Sequence, residues 1–152
     1  MRLGRRIAID YGAARIGVAV SSIDALISSP LATIPAGINA LEAIATLIRE
    51  QDAIEVYVGL PLNLSGNPTK STVDAIEFSK SLAGLLSVPV RLVDERMSTR
   101  AAQGQLYASG RNSKQSRSLI DAAAASLILE SAIAIELSTK KLPGKAVGDF
   151  ED

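Results

Sequence analysis

Acidic side chains stand at three positions in the chain where the surrounding sequence is otherwise apolar or small: Asp10, the pair Asp94-Glu95, and Asp121. Asp10 closes the run Arg6-Ile7-Ala8-Ile9, and after Tyr11-Gly12 the chain returns as Arg15-Ile16-Gly17-Val18-Ala19-Val20. A carboxylate in such a frame is costly unless a cation or hydrogen-bond donors face it. Acids at strand ends, with backbone room beside them, suit a hard divalent ion and the phosphodiester chemistry such ions support.

Strand alternation places Ala8 and Asp10 on one face of the first strand and Ile7 and Ile9 on the other. Gly17 and Ala19 share a face of the second strand. If the two small faces coincide, Asp10 has space beside it for an ion or a substrate backbone. A strand-end aspartate that hydrogen-bonds its own turn is the plainer alternative. Asp94 and Glu95 are adjacent and point oppositely, so only one can face such a site. Glu95 reaches further and neighbours Arg96, while Asp94 suits the turn. Asp121 lies in the helical pattern Leu119, Ile120, Ala123, Ala124, Leu127, Ile128 and Ile135, on a small-residue surface able to approach a sheet. Complementing the helix dipole is the plainer role for it.

Composition narrows the chemistry. The 152 residues contain no histidine and no cysteine, which excludes a histidine base, a Ser-His-Asp triad, thiolate catalysis and nitrogen- or sulfur-ligated zinc. Oxygen-only ligation favours Mg²⁺ or Mn²⁺. With aromatics at 3%, a base-stacking platform built from rows of rings is not expected. Sixteen basic and sixteen acidic residues cancel overall, but Arg91, Arg96, Arg100, Arg111, Lys114 and Arg117 face only Asp94 and Glu95 in their stretch. Such a basic face suits a phosphate backbone, or else is a solvated helix surface. The basic start lacks the apolar length of a signal peptide, and no long uninterrupted apolar run reads as a membrane span, so a cytoplasmic protein is expected.

These residues must be positioned by one domain. The patterns predict strands over roughly 6–11, 15–22 and 25–34, a helix over 38–51 capped by Asn39, and a strand over 54–60. A turn-rich loop from Pro61 to Pro68 follows, then a helix over roughly 71–86, a strand over 88–94, and helices over 98–109 and 118–137. Ser98 and Thr99 read as helix caps. The expected fold is α/β: a mixed five-stranded sheet, three antiparallel strands and then parallel ones, flanked by helices. A domain over 1–137 would be followed by a loose segment from 138 to 152.

Taken in order, four segments resemble the bacterial YqgF family, also called RuvX-like or Holliday-junction-resolvase-like proteins. They are Asp10-Tyr11-Gly12 with Arg15-Ile16-Gly17-Val18-Ala19; Val58-Gly59-Leu60-Pro61-Leu62-Asn63; Asp94-Glu95-Arg96 with Ser98-Thr99; and Gly110 through Lys114 to Ile120-Asp121 with Ala123-Ala124. The resemblance implies an RNase H-like fold and a nuclease processing the 5′ end of pre-16S ribosomal RNA, with resolution of branched DNA as an older assignment. It implies Asp10, Glu95 and Asp121 as catalytic acids holding Mg²⁺ or Mn²⁺. Arg15, Asn63, Arg96, Arg100, Arg111, Lys114 and Arg117 would contact nucleic acid, RNA being favoured. Ser22 and Ala14 depart from the family pattern, where an acid and a basic residue are common, and no acid follows the fourth strand. A nucleic-acid-binding module without turnover, or an actin-like ATPase built on the same Asp-Gly hairpin, are the competing classes. The second would need a further lobe to enclose its nucleotide. Monomer and homodimer both stay open.

Overall fold

The computed structural model describes residues 2–96 and 113–150, of which 113–120 by main chain alone. The chain runs β1 (Arg6–Tyr11), β2 (Arg15–Ser21), β3 (Ser28–Pro35), α1 (Ala40–Glu50), β4 (Glu55–Leu60), α2 (Lys70–Leu85), β5 (Val90–Asp94), α3 (Ser113–Thr139) and β6 (Lys145–Ala146), ending in a 3₁₀ turn at Val147–Asp149. The strands form one sheet in the order β3-β2-β1-β4-β5-β6. β1, β2 and β3 pair antiparallel, whereas β1 with β4 and β4 with β5 pair parallel. The mixed sheet read from the sequence is therefore present, enlarged by one strand.

Side-chain alternation divides the sheet into two unlike faces. Ile7, Ile9, Ile16, Val18, Val56, Val58 and Leu92 pack on one side under Ile44 and Ile48 of α1 and Leu82 of α2. On the other side Ala8, Ala19, Tyr57 and Val93 meet Ala125, Ile128, Leu129 and Ala132 of α3. The bulky face supports two helices at ordinary spacing, and the small face lets a single helix lie almost on the strands. Contact is closest at Gly17: a Cβ there would fall 2.9 Å from the main-chain nitrogen of Ala122 and nearer still to the carbonyl of Asp121. Only glycine lets strand and helix main chains meet in this way.

α3 also contains a window, Asp121–Thr139, long and apolar enough by length and composition to cross a membrane, and half of that window is buried inside the protein. Its hydrophobicity is accounted for by the sheet beneath it.

Three expectations change. The segment after Leu137 is tied down rather than loose. β6 pairs antiparallel with β5, and the Arg91 guanidinium donates to the carbonyls of Pro143, from Nε at 2.6 Å, and Gly144, from Nη2 at 2.8 Å. Val147 and Phe150 pack against the main core. A two-residue strand carries no periodicity, so its pairing rests on these long-range contacts. Asn39 precedes α1 but makes no side-chain cap hydrogen bond. α3 begins at Ser113, earlier than its apolar pattern suggests. The helix expected over 98–109, with Ser98 and Thr99 as its caps, lies outside the described residues.

Candidate active site

Asp10 stands one residue before the end of β1, opposite Gly17 of β2 in the antiparallel register. Its side chain shares the small face with Ala8. Tyr11, the next residue, turns to the opposite face and stacks on Phe78 with ring centroids 4.5 Å apart. The alternation that hides Tyr11 under α2 therefore aims Asp10 at α3.

Glu95 follows β5 directly and continues its ladder by donating its main-chain N–H to the Leu60 carbonyl at 3.3 Å. Its carboxylate lies across Gly59 of β4, where a Cβ would also come within 2.7 Å of Cδ1 of Ile128. The absence of an acid at the end of the fourth strand now has a structural reason. Gly59 leaves the gap through which the next strand's glutamate reaches the site. Asp94 takes the other direction: Oδ1 accepts the Arg96 N–H at 3.0 Å, and the carboxylate receives the Arg96 guanidinium at 2.6–3.0 Å. Of the two neighbouring acids, the one expected to close the turn does so.

Asp10 and Glu95 are hydrogen-bonded to each other, and both are pushed toward the protonated form. Burial is the largest cause lifting the Asp10 carboxyl to about 6. The nearby charge of Asp121 adds to it, and the hydrogen bond from Glu95 opposes it. Burial likewise lifts Glu95 to about 7, helped by the charge and hydrogen bond of Asp10 and by the charge of Asp94. Two carboxyls brought together out of water share a proton because both cannot ionise cheaply.

Asp121 enters from α3 through the Gly17 contact. Its Oδ2 accepts Nε of Arg15, the first residue of β2, at 2.6 Å. The three acids predicted from the sequence thus belong to one corner of the fold, but they are not arranged alike. Asp10 and Glu95 touch, whereas Asp121 is turned to a guanidinium. Among the described residues no group of three acids stands ready to hold a metal ion. The donors fit a hard divalent cation in kind, being oxygen-only, and two of them already crowd one spot. The third is bonded through its Oδ2 to Arg15.

The remaining sequence candidates separate. Arg15 is at the site. Arg96 lies at its rim, exposed and paired with Asp94, beneath Gly66 of the loop after β4: a Cβ on Gly66 would be 3.0 Å from Nη1 of Arg96. Asn63 has a structural task, since its Oδ1 accepts the N–H groups of Ser65 at 3.0 Å and Asn67 at 2.9 Å and so shapes that loop. A nucleic-acid role for its carbonyl would compete with both bonds. Thr72, which also donates to the Pro61 carbonyl, anchors the loop to the start of α2, a tie that no local pattern announces. Arg100 and Arg111 lie outside the described residues, and Lys114 and Arg117 are described by main chain only, within the first turns of α3.

Comparison with known proteins identifies the family and the fold. The family described as "RuvX: Holliday junction resolvase" matches residues 4–135. A protein of Clavibacter michiganensis subsp. michiganensis named "Putative pre-16S rRNA nuclease" is 47% identical over 150 residues, covering 97% of this chain and 93% of its own. One of Streptomyces coelicolor with the same name is 44% identical, covering 97% and 90%. Among solved structures, Thermus thermophilus RuvC in complex with a Holliday junction substrate superimposes with a TM-score of 0.56 at 14% identity, covering 94% of this chain and 99% of that one. That likeness identifies the fold as RuvC-like, hence RNase H-like.

Proposed function

This chain belongs to the RuvX family, and from that premise we propose that it is a divalent-metal-dependent nuclease that hydrolyses phosphodiester bonds in the precursor of 16S ribosomal RNA. The observation that carries the reading is the proton-sharing pair Asp10–Glu95. Two strand-end carboxylates converge on a small-residue gap, hydrogen-bonded to each other and buried enough to be pushed toward the protonated form. RNA is preferred to branched DNA because relatives matching 97% of the chain carry the pre-16S name. A cytoplasmic site of action goes with that substrate.

Asp10 and Glu95 would hold the ion, with Asp121 as the third ligand. When bound, Mg²⁺ or Mn²⁺ supplies Lewis-acid activation of water and neutralises charge on the leaving oxygen. The proton shared by Asp10 and Glu95 has to leave before both can serve as ligands, which makes ion uptake stronger as pH rises. Arg96 at the rim, with the basic residues of the following segment, would seat the phosphate backbone without reading sequence.

The test is incubation of wild-type protein and Asp10→Asn with a precursor 16S leader RNA and with a four-way DNA junction, each with and without Mn²⁺. Cleavage of the RNA by wild-type protein alone, and only with Mn²⁺, is expected. Cleavage of the junction but not the RNA would reassign the substrate. RNA binding unaffected by Asp10→Asn and without cleavage would make the protein a binding module.

A further inference from the structure

We propose that Arg15 is a latch on Asp121: its guanidinium competes with a divalent cation for this carboxylate, and exchange of one cation for the other completes the acidic site. The inference rests on the metal-dependent reading above and adds to it a residue that governs when the site is whole. Arg15 is a positioning residue in this scheme, acting through Asp121.

Three observations converge on it. First, the Nε–Oδ2 contact at 2.6 Å is a short, charge-assisted hydrogen bond between residues 106 apart in sequence, so it is made by the fold and not by local geometry. Second, the main chain at Asp121 is clamped on Gly17, and Gly17 pairs with Asp10. The helix cannot slide to bring the carboxylate in or out. Rotation of the Asp121 side chain is what remains to move its carboxylate away from Arg15. Third, although Asp121 is held against Gly17 and Gly17 stands opposite Asp10, the described residues contain no three-acid ion site. The missing element is a change of partner at Asp121, not a distant ligand.

Arg15 is suited to letting go. Its side chain is 38% exposed while that of Asp121 is 18% exposed, so the guanidinium can return to water more cheaply than the carboxylate. Arg15 precedes Gly17 by two and lies on the same strand face, at the mouth of the gap where a phosphate would enter. A phosphate that engages the freed guanidinium favours the open latch, and by linkage must tighten ion binding by the same factor that the ion tightens phosphate binding.

The experiment is titration with Mn²⁺ alone, without nucleic acid, following free Mn²⁺ by electron paramagnetic resonance. Wild-type protein, Arg15→Gln, Asp121→Asn and the double variant complete the cycle, with circular dichroism as the check on folding. Arg15→Gln is expected to bind Mn²⁺ about three- to tenfold more tightly than wild type, the scale of a half-exposed ion pair. That gain should vanish in the Asp121→Asn background. An equal gain in both backgrounds would reduce Arg15 to a general positive field and overturn the latch, as would unchanged or weaker binding by Arg15→Gln. If wild-type protein takes up no Mn²⁺ at millimolar concentration, the metal-dependent reading itself fails, a result distinct from saturable uptake that is indifferent to Arg15. Misfolded Arg15→Gln would overturn the latch in favour of a structural ion pair; Arg15→Lys, which keeps charge without the Nε donor, would then fold and restore wild-type affinity.

Discussion

Replacing Gly17 by alanine puts one methyl group where β2 and α3 touch, and its consequences can be worked through. The added Cβ would lie 2.9 Å from the Ala122 nitrogen and nearer to the Asp121 carbonyl, whereas comfortable carbon contacts need about 3.5 Å. Both obstructing groups are main chain, so no side chain can swing aside. α3 must retreat by about an ångström along this stretch, opening its packing against Ala8 and Ala19. Overpacking of a closed core costs about 1–3 kcal/mol, and a rigid obstruction belongs at the upper end. For a chain of this length about 3 kcal/mol lowers Tm by roughly 6–12 °C, well short of unfolding a domain of typical stability. The same retreat carries Asp121 away from Arg15 and Asp10, and an ångström of misplacement costs catalysis about a hundredfold. The assay is a pair: thermal unfolding by circular dichroism, and Mn²⁺-dependent RNA cleavage at a temperature where the variant is fully folded. Wild-type Tm together with wild-type cleavage would refute the argument that this glycine seats the catalytic helix.

Gly59→Ala should behave differently, because its Cβ meets the ends of flexible side chains, Glu95 and Ile128; cleavage should fall at least tenfold while Tm moves by no more than about 4 °C, measured by the same pair of assays. The pH dependence of stability follows from the Asp10–Glu95 pair. Folded-state proton affinities raised to about 6 and about 7 mean that the folded protein holds protons the unfolded chain has released, so this contribution is intact below about pH 4 and is lost as pH rises through 6 to 7. Asp10→Asn should therefore raise Tm at pH 8 and lose that gain by pH 5, and Mg²⁺ should stabilise wild type more at pH 8 than at pH 5; a gain independent of pH would contradict the shared proton. At the opposite end of the sheet, Glu136→Ala removes the acceptor for Arg2 and for the fully buried Arg6, and should destabilise by about 3–5 kcal/mol in urea unfolding without altering Mn²⁺ affinity.

Most of the sheet was legible because β-strands write their burial into a period of two. Ile7 and Ile9 against Ala8 and Asp10 already divide a bulky face from a small one, and the structure covers the two with different helices. The same alternation separates Asp94 from Glu95, and the longer reach of Glu95 made the choice between them. What the sequence could not reveal is relational. Nothing near Gly59 in the chain says that it makes room for Glu95, and nothing near Asp121 says that its partner is Arg15. Asn63 was expected at the nucleic acid from the family resemblance alone, and no local pattern shows that its carbonyl also holds the N–H groups of Ser65 and Asn67. β6 is too short to show a pattern at all, and depends on Arg91 and on the packing of Val147 and Phe150.

The two ends of this sheet show opposite treatments of buried acid. At the end near the chain start, Glu55 and Glu136 are almost wholly enclosed, and each is met by chain-borne cations. Arg2 donates to Glu55 at 2.8 Å and to both oxygens of Glu136, Arg6 adds its guanidinium, and the Tyr57 hydroxyl donates to Glu55 at 2.8 Å. Two acids and two arginines balance, and the protein lowers the proton affinity of Glu136 by supplying the guanidinium of Arg2. At the other end Asp10, Glu95 and Asp121 converge: Arg15 is bonded to Asp121, and Asp10 and Glu95 are hydrogen-bonded to each other. The fold plainly can neutralise buried carboxylates with its own arginines and does so where only stability is at stake. Burial instead raises the proton affinity of Asp10 and Glu95, which costs stability at neutral pH, a cost of the kind that marks functional sites.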